Sequence, residues 1–98
     1  MVYLKKYLLV KLLLENVCKY DLKGIYRPQA YVTGGKSYCT ECQIELFKTV
    51  IEPGKSVVVK AVLYAPHGYG EHLKVGALMT LRNGLDTEAK ALVLEIQE

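Results

Sequence analysis

Residues 40–47 alternate without interruption: Cys42, Ile44 and Leu46 fall on one side of an extended chain, Glu41, Gln43 and Glu45 on the other. A period of two belongs to a strand with one buried and one wet face, and it commits the chain to a sheet. Other stretches repeat it. In residues 3–15, Leu8, Val10, Leu12 and Leu14 occupy alternate positions. The leucine-rich composition there also suits a helix with Leu8, Leu9, Leu12 and Leu13 on one face, and the alternation is read as strand. Residues 56–64 concentrate β-branched side chains, with Val59, Ala61 and Leu63 toward the core and Lys60 away from it. Leu73, Val75, Ala77, Met79 and Leu81 alternate with His72, Lys74, Gly76, Thr80 and Arg82, which predicts a further strand with one buried face. A last strand is expected over residues 86–96.

Turn chemistry separates these runs. Residues 16–24 lack periodicity and end in Gly24, which makes them a loop. Residues 24–32 read as a strand that contains Pro28; having no N–H for a ladder, this proline predicts a strand start or an edge. Thr33-Gly34-Gly35-Lys36-Ser37 and Asn83-Gly84 carry hairpin signals, and Glu52-Pro53-Gly54-Lys55 joins a fixed φ to a glycine that permits reversal. Pro66, Gly68 and Gly70 mark a loop holding His67, Tyr69 and Glu71. Six strands at short spacing with tight turns favour a closed barrel or a sandwich, formed by residues 1–98 as one all-β domain.

Hydrophobic residues make up 51% of the 98, so the whole chain is expected to fold. A net charge of +3 falls short of the concentrated basicity of a dedicated nucleic-acid binder. Tyr7-Leu8-Leu9-Val10 follows two lysines, but Lys11 interrupts it and no small-residue cleavage site comes after; it is also shorter than a membrane span. Three cysteines, an odd number, fit a reducing compartment better than a disulfide framework. The expectation is a soluble cytoplasmic protein with no membrane partner, and Met1 ahead of a periodic strand favours a complete gene product.

The residues that carry chemistry point to binding. Cys39 and Cys42 form a C-x-x-C pair, yet residues three apart in a strand face opposite sides and no second ligand pair follows; no metal site is expected, with Cys42 toward the core and Cys39 near a turn. His67 and His72, with Glu71 beside them, have no nucleophile positioned by a motif, and Gly68-Tyr69-Gly70 is too short for a phosphate loop. No enzyme activity and no cofactor are expected. Tyr26, Arg27, Gln29 and Tyr31 bring amphipathic rings and planar hydrogen-bonding groups together around Pro28. Arg27, Lys60, Lys74, Arg82 and Lys90 with Tyr26, Tyr31 and Tyr69 are residue types that also suit RNA. The lysines are interspersed with glutamates, so a protein partner is preferred over RNA.

The order of signals resembles a known family. Gly24-Ile25-Tyr26-Arg27-Pro28-Gln29-Ala30-Tyr31 comes first, then Ile44-Glu45-Leu46, then Pro53-Gly54 with a strand closing on Pro66, then Leu81-Arg82-Asn83-Gly84 and a final apolar strand. This order resembles the third, C-terminal β-barrel domain of elongation factor Tu and related translational GTPases, over nearly the whole chain. The resemblance implies a six-stranded antiparallel Greek-key closed β-barrel. It also implies contact with a transfer-RNA stem through Gln29 and the Asn83-Gly84 turn. The family's acidic residue before that glycine is Asn83 here, and its later Gly-x-Gly is Ala89-Lys90-Ala91. No phosphate-binding Gly-x-x-x-x-Gly-Lys-Ser/Thr loop is present, so a free-standing barrel without the GTPase part is expected. The expected contact set is Tyr26, Arg27, Gln29, Tyr31, Arg82, Asn83 and Gly84. It would dock a protein of the translation machinery, with an RNA-binding module on a transfer-RNA stem as the alternative.

Overall fold

A computed structural model describes residues 5–33 and 38–97. The strands are β1 (Tyr7–Asn16), β2 (Leu22–Tyr26), β3 (Gln29–Val32), β4 (Cys39–Ile51), β5 (Ser56–Tyr64), β6 (Leu78–Asn83) and β7 (Asp86–Gln97), with a 3-10 segment, Pro66–His72, between β5 and β6. All pairings are antiparallel, and the order β3-β6-β7-β1-β5 closes through β4, which pairs with both β5 and β3. The result is a closed six-stranded barrel with β2 as an extra strand on β4. β3, β4 and β5 lie side by side in chain order, while β1 returns next to β5, the crossing that defines a Greek key.

β2 and β3 are two halves of one strand. Tyr26 faces Ile44 and Gln29 faces Glu41, so the register on β4 runs unbroken across Arg27 and Pro28. The Cys42 N–H donates to the Pro28 carbonyl at 3.0 Å, but proline cannot return the second bond of that pair. The predicted strand over residues 24–32 therefore has its proline in the interior, where the missing donor divides it.

Alternation decides what fills the barrel. Leu8, Val10, Leu12 and Leu14 of β1 point inward, as do Cys42, Ile44 and Leu46 of β4 and Val59, Ala61 and Leu63 of β5. Slipping β1 by one residue would expose those four side chains at roughly 2 kcal/mol each, so its phase is strongly fixed, and strand wins over helix. Ala30, Ala89 and Ala91 complete the interior.

Two expected elements differ. Residues 73–77 do not join β6: Gly76 turns the chain at φ 90, Leu73 and Ala77 are buried, and Val75 is exposed. The pattern continued through a turn because loop residues anchoring the barrel end happened to share its phase. The loop after Pro66 is also not solvated throughout. Tyr69 is 1% exposed, packs edge-on to Tyr38 with ring centroids 5.0 Å apart, and donates from its hydroxyl to the Ala30 carbonyl at 2.5 Å. It plugs this end of the barrel and cannot belong to a contact surface. The predicted Gly34-Gly35 turn and the start of the first strand, residues 3 and 4, lie outside the described residues. Among the described residues no helix is long and apolar enough to cross a membrane.

Candidate functional site

The outer surface of β4, β3 and β6 carries most of the predicted contact residues. Odd positions of β3 face outward because Ala30 and Val32 face the core. Gln29 lies between Glu41 of β4 and Arg82 of β6, and Tyr31 lies between Cys39 and Thr80. The Arg82 guanidinium stacks 4.4 Å from the centroid of the Tyr31 ring. Its Nε is buried without a hydrogen-bond partner, and among the described residues Arg82 forms no ion pair. The Tyr31 phenol is held above its ordinary pKa, chiefly by a hydrogen bond with Cys39 and then by desolvation. Arg27 is exposed and lies 3.9 Å from Glu41, a solvated pair of little energetic weight. It does not brace the barrel's loops.

Tyr26 does not belong to this face. It shares the inward phase of Ala30, and its hydroxyl donates to Glu88 at 3.0 Å. Period-two alternation separates it from Arg27, Gln29 and Tyr31, a separation that reading the four residues as one cluster missed. Asn83 and Gly84 sit at the end of β6, but the turn is shifted by one residue from the expected Asn-Gly centre. Asn83 pairs with Asp86, and Gly84 and Leu85 form the two-residue loop. Gly84 has φ 63 while Leu85 does not have positive φ, the pattern of a type II′ turn, and Leu85 is 98% exposed at its tip.

At the opposite end from Tyr69, a polar cluster closes the barrel. Glu88 is 4% exposed and accepts from the Tyr20 and Tyr26 hydroxyls. Leu81 pairs with Ala89 and Arg82 with Thr87, so Glu88 is the extra residue of a β-bulge that turns its side chain inward. Burial raises its pKa. Beside it, Asn16 is wholly buried: its Nδ2 donates to the Tyr20 and Ile51 carbonyls at 2.8 and 2.7 Å, and its Oδ1 accepts from the Cys18 N–H at 2.9 Å. Sequence reading placed Asn16 in a loop and gave Glu88 no role, because neither a bulge nor a capping amide leaves a local signal.

The remaining candidates are dispersed. Cys42 is buried, with burial pushing its thiol up to about 12, while Cys39 is half-buried on the outer face. Their three-residue spacing puts them on opposite sides of β4. Among the described residues no group of three or more His, Cys, Asp and Glu side chains could hold a metal ion. His67 and His72 are exposed on the 3-10 segment, and Lys60 on β5, Lys74 in the following loop and Lys90 on β7 are exposed and apart from one another. No known family model matches the chain, and no curated protein matches it.

Proposed function

We propose that this barrel is a non-catalytic binding module that docks a protein partner through the outer face of β3 and β6. The observation that carries the reading is Arg82, a guanidinium laid on Tyr31 with no ion-pair partner among the described residues. An arginine and a tyrosine pre-stacked on a paired ladder lose little side-chain freedom on binding, and both are residue types that anchor protein interfaces. Gln29 beside them offers a planar amide, and Leu85 at the adjacent turn adds an exposed apolar side chain. Glu41 stands next to Gln29 in the same row and would repel a phosphate, which favours protein over RNA.

The partner we assign to this face belongs to the translation machinery. The support is the resemblance to the third domain of elongation factor Tu, for which a closed six-stranded Greek-key barrel is the implied architecture. The transfer-RNA reading has one observation in its favour: Gln29 lies opposite Arg82, and Asn83 and Gly84 follow directly, so the implied RNA contacts are neighbours.

Pull-down of partners from cell extract with and without nuclease separates the two. Protein docking predicts a partner that survives nuclease, binds with little salt dependence, and weakens at least about tenfold with Arg82→Ala or Tyr31→Ala. A transfer RNA lost steeply with added salt would select the second reading. Unchanged binding of both partner types to both variants would place the site elsewhere.

A further inference from the structure

One row of side chains on the outside of the barrel is apolar across four strands. Leu78 of β6 faces Leu92 of β7, Leu92 faces Leu13 of β1, and Leu13 faces Val58 of β5. Their chain neighbours Met79, Val93, Leu12, Leu14 and Val59 fill the core, so the pleat turns these four outward. Leu78, Leu13 and Val58 are exposed, and Leu92 is half-buried. A contiguous apolar strip of this kind marks an interaction surface. Charged rows flank it on both sides. Toward one end of β1, Lys11 stands beside Glu95 at 3.7 Å, with Lys60 on its other side on β5. Toward the other end, Glu15 stands beside Lys90, with Ser56 on β5. Across the apolar row the sign therefore runs from positive to negative along β1 and from negative to positive along β7.

That pattern is its own complement. Turning a second copy by a two-fold rotation about an axis along the row lays β1 on β1 and β7 on β7, antiparallel, with the apolar row on itself. The rotation sets Lys11 over the partner's Glu15 and Glu95 over the partner's Lys90, each contact made twice, and Lys60 over the partner's Ser56. Farther out it brings Leu9 over the partner's Val17, both exposed. An axis along the Lys11 row would instead lay Lys11 on Lys11 and Glu95 on Glu95, and an axis along β1 would lay Glu15 on Glu15. We propose that this face is an isologous dimer interface, covered by a second copy of the chain in the Leu13-centred register. From Leu9 to Val17 on four strands, the spacing and rise of a sheet give a patch of about 30 Å by 19 Å, or about 1,100 Å² over both copies. That lies at the weak end of specific interfaces, so the dimer is expected to dissociate in the micromolar range. The Arg82–Tyr31 pair lies farther round the barrel, and failure of this interface would leave the function proposed there standing.

The test is sedimentation equilibrium of the full chain from about 1 to 500 μM, with a monomer–dimer equilibrium expected in that range. Leu13→Asp changes an outward side chain and should weaken association at least about tenfold with the far-UV circular dichroism unchanged. Two charge reversals read the register. Lys11→Glu sets two carboxylates face to face across the interface, and Glu15→Lys sets two ammonium groups face to face, so each variant alone should associate more weakly than wild type. An equimolar mixture of the two restores opposite charges at both contacts and should dimerise as well as wild type. Should either variant not fold, Glu95→Lys and Lys90→Glu make the same exchange on β7. A chain that stays monomeric at about 500 μM would overturn the proposal. In that case, Leu13 and Val58 methyl signals that shift with phosphatidylcholine vesicles would give the face to a membrane surface, and an extract protein lost with Leu13→Asp would give it to another partner. A dimer indifferent to Leu13→Asp, or a mixture no more associated than its components, would overturn it equally.

Discussion

Replacing Asn16 by alanine should cost the protein about 3 kcal/mol of stability. The side chain makes three hydrogen bonds to backbone, donating to Tyr20 and Ile51 and accepting from Cys18. Each such bond is worth on the order of 1 kcal/mol net, and more where the partner left behind is shielded from water. Ile51 is buried, so its carbonyl belongs to the costlier case, whereas Cys18 and Tyr20 are more exposed and can recruit water. The loss matters structurally because Asn16 ties the chain between β1 and β2 to the end of β4, closing the barrel where β2 departs. Urea unfolding of wild type and Asn16→Ala measures it, with the midpoint expected to fall and the slope to remain unchanged. Asn16→Asp keeps the acceptor for Cys18 but turns a carboxylate toward two carbonyl oxygens. It should be at least as destabilised at neutral pH, and should recover as acid protonates the new group. A loss below about 1 kcal/mol for Asn16→Ala would refute the reasoning, by showing that water replaces all three bonds at little cost.

Two further outcomes follow from buried groups. The Glu88 carboxyl has its pKa raised by burial in the folded chain, so the neutral form is favoured by folding. Its stabilisation is therefore fully present below the ordinary carboxylate range and lost as pH rises through the folded value; Glu88→Gln should remove that slope in unfolding measurements run upward from about pH 4. Cys42, with a thiol pushed up to about 12 by burial, should resist alkylation at pH 8 in the native protein while Cys18 and Cys39 react. Mass spectrometry should count two labels natively and three after unfolding; three labels on the native protein would contradict a buried Cys42.

The strands were legible where one face is buried and the other wet. Alternation in β1, β4 and β5 follows directly from the pleat, so the residues that line the core could be named from their spacing. Legibility failed where backbone geometry departs from the pleat. Gly76 turns the chain within a pattern that still looked alternating, and the bulge at Glu88 reverses the side of one residue in a strand otherwise in phase. At the candidate site, Arg27, Gln29 and Tyr31 share the outward phase, and that much can be counted along the chain. The stacking of Arg82 on Tyr31 cannot be, because the two lie on strands joined only by the β3–β6 register.

By itself, the sequence determined that this chain is all-β, roughly how many strands it has, and which side chains seek the interior. These are local consequences of a two-residue period and of what proline and glycine permit at turns. Tertiary structure alone decided the rest. Barrel closure through β4 sets which outward residues become neighbours, and the Glu88 bulge builds the polar end. Beyond Ile44, β4 exchanges β5 for β2 as its ladder partner. Each depends on the register between strands distant in the chain, a property of pairing that no single strand carries in its own residues.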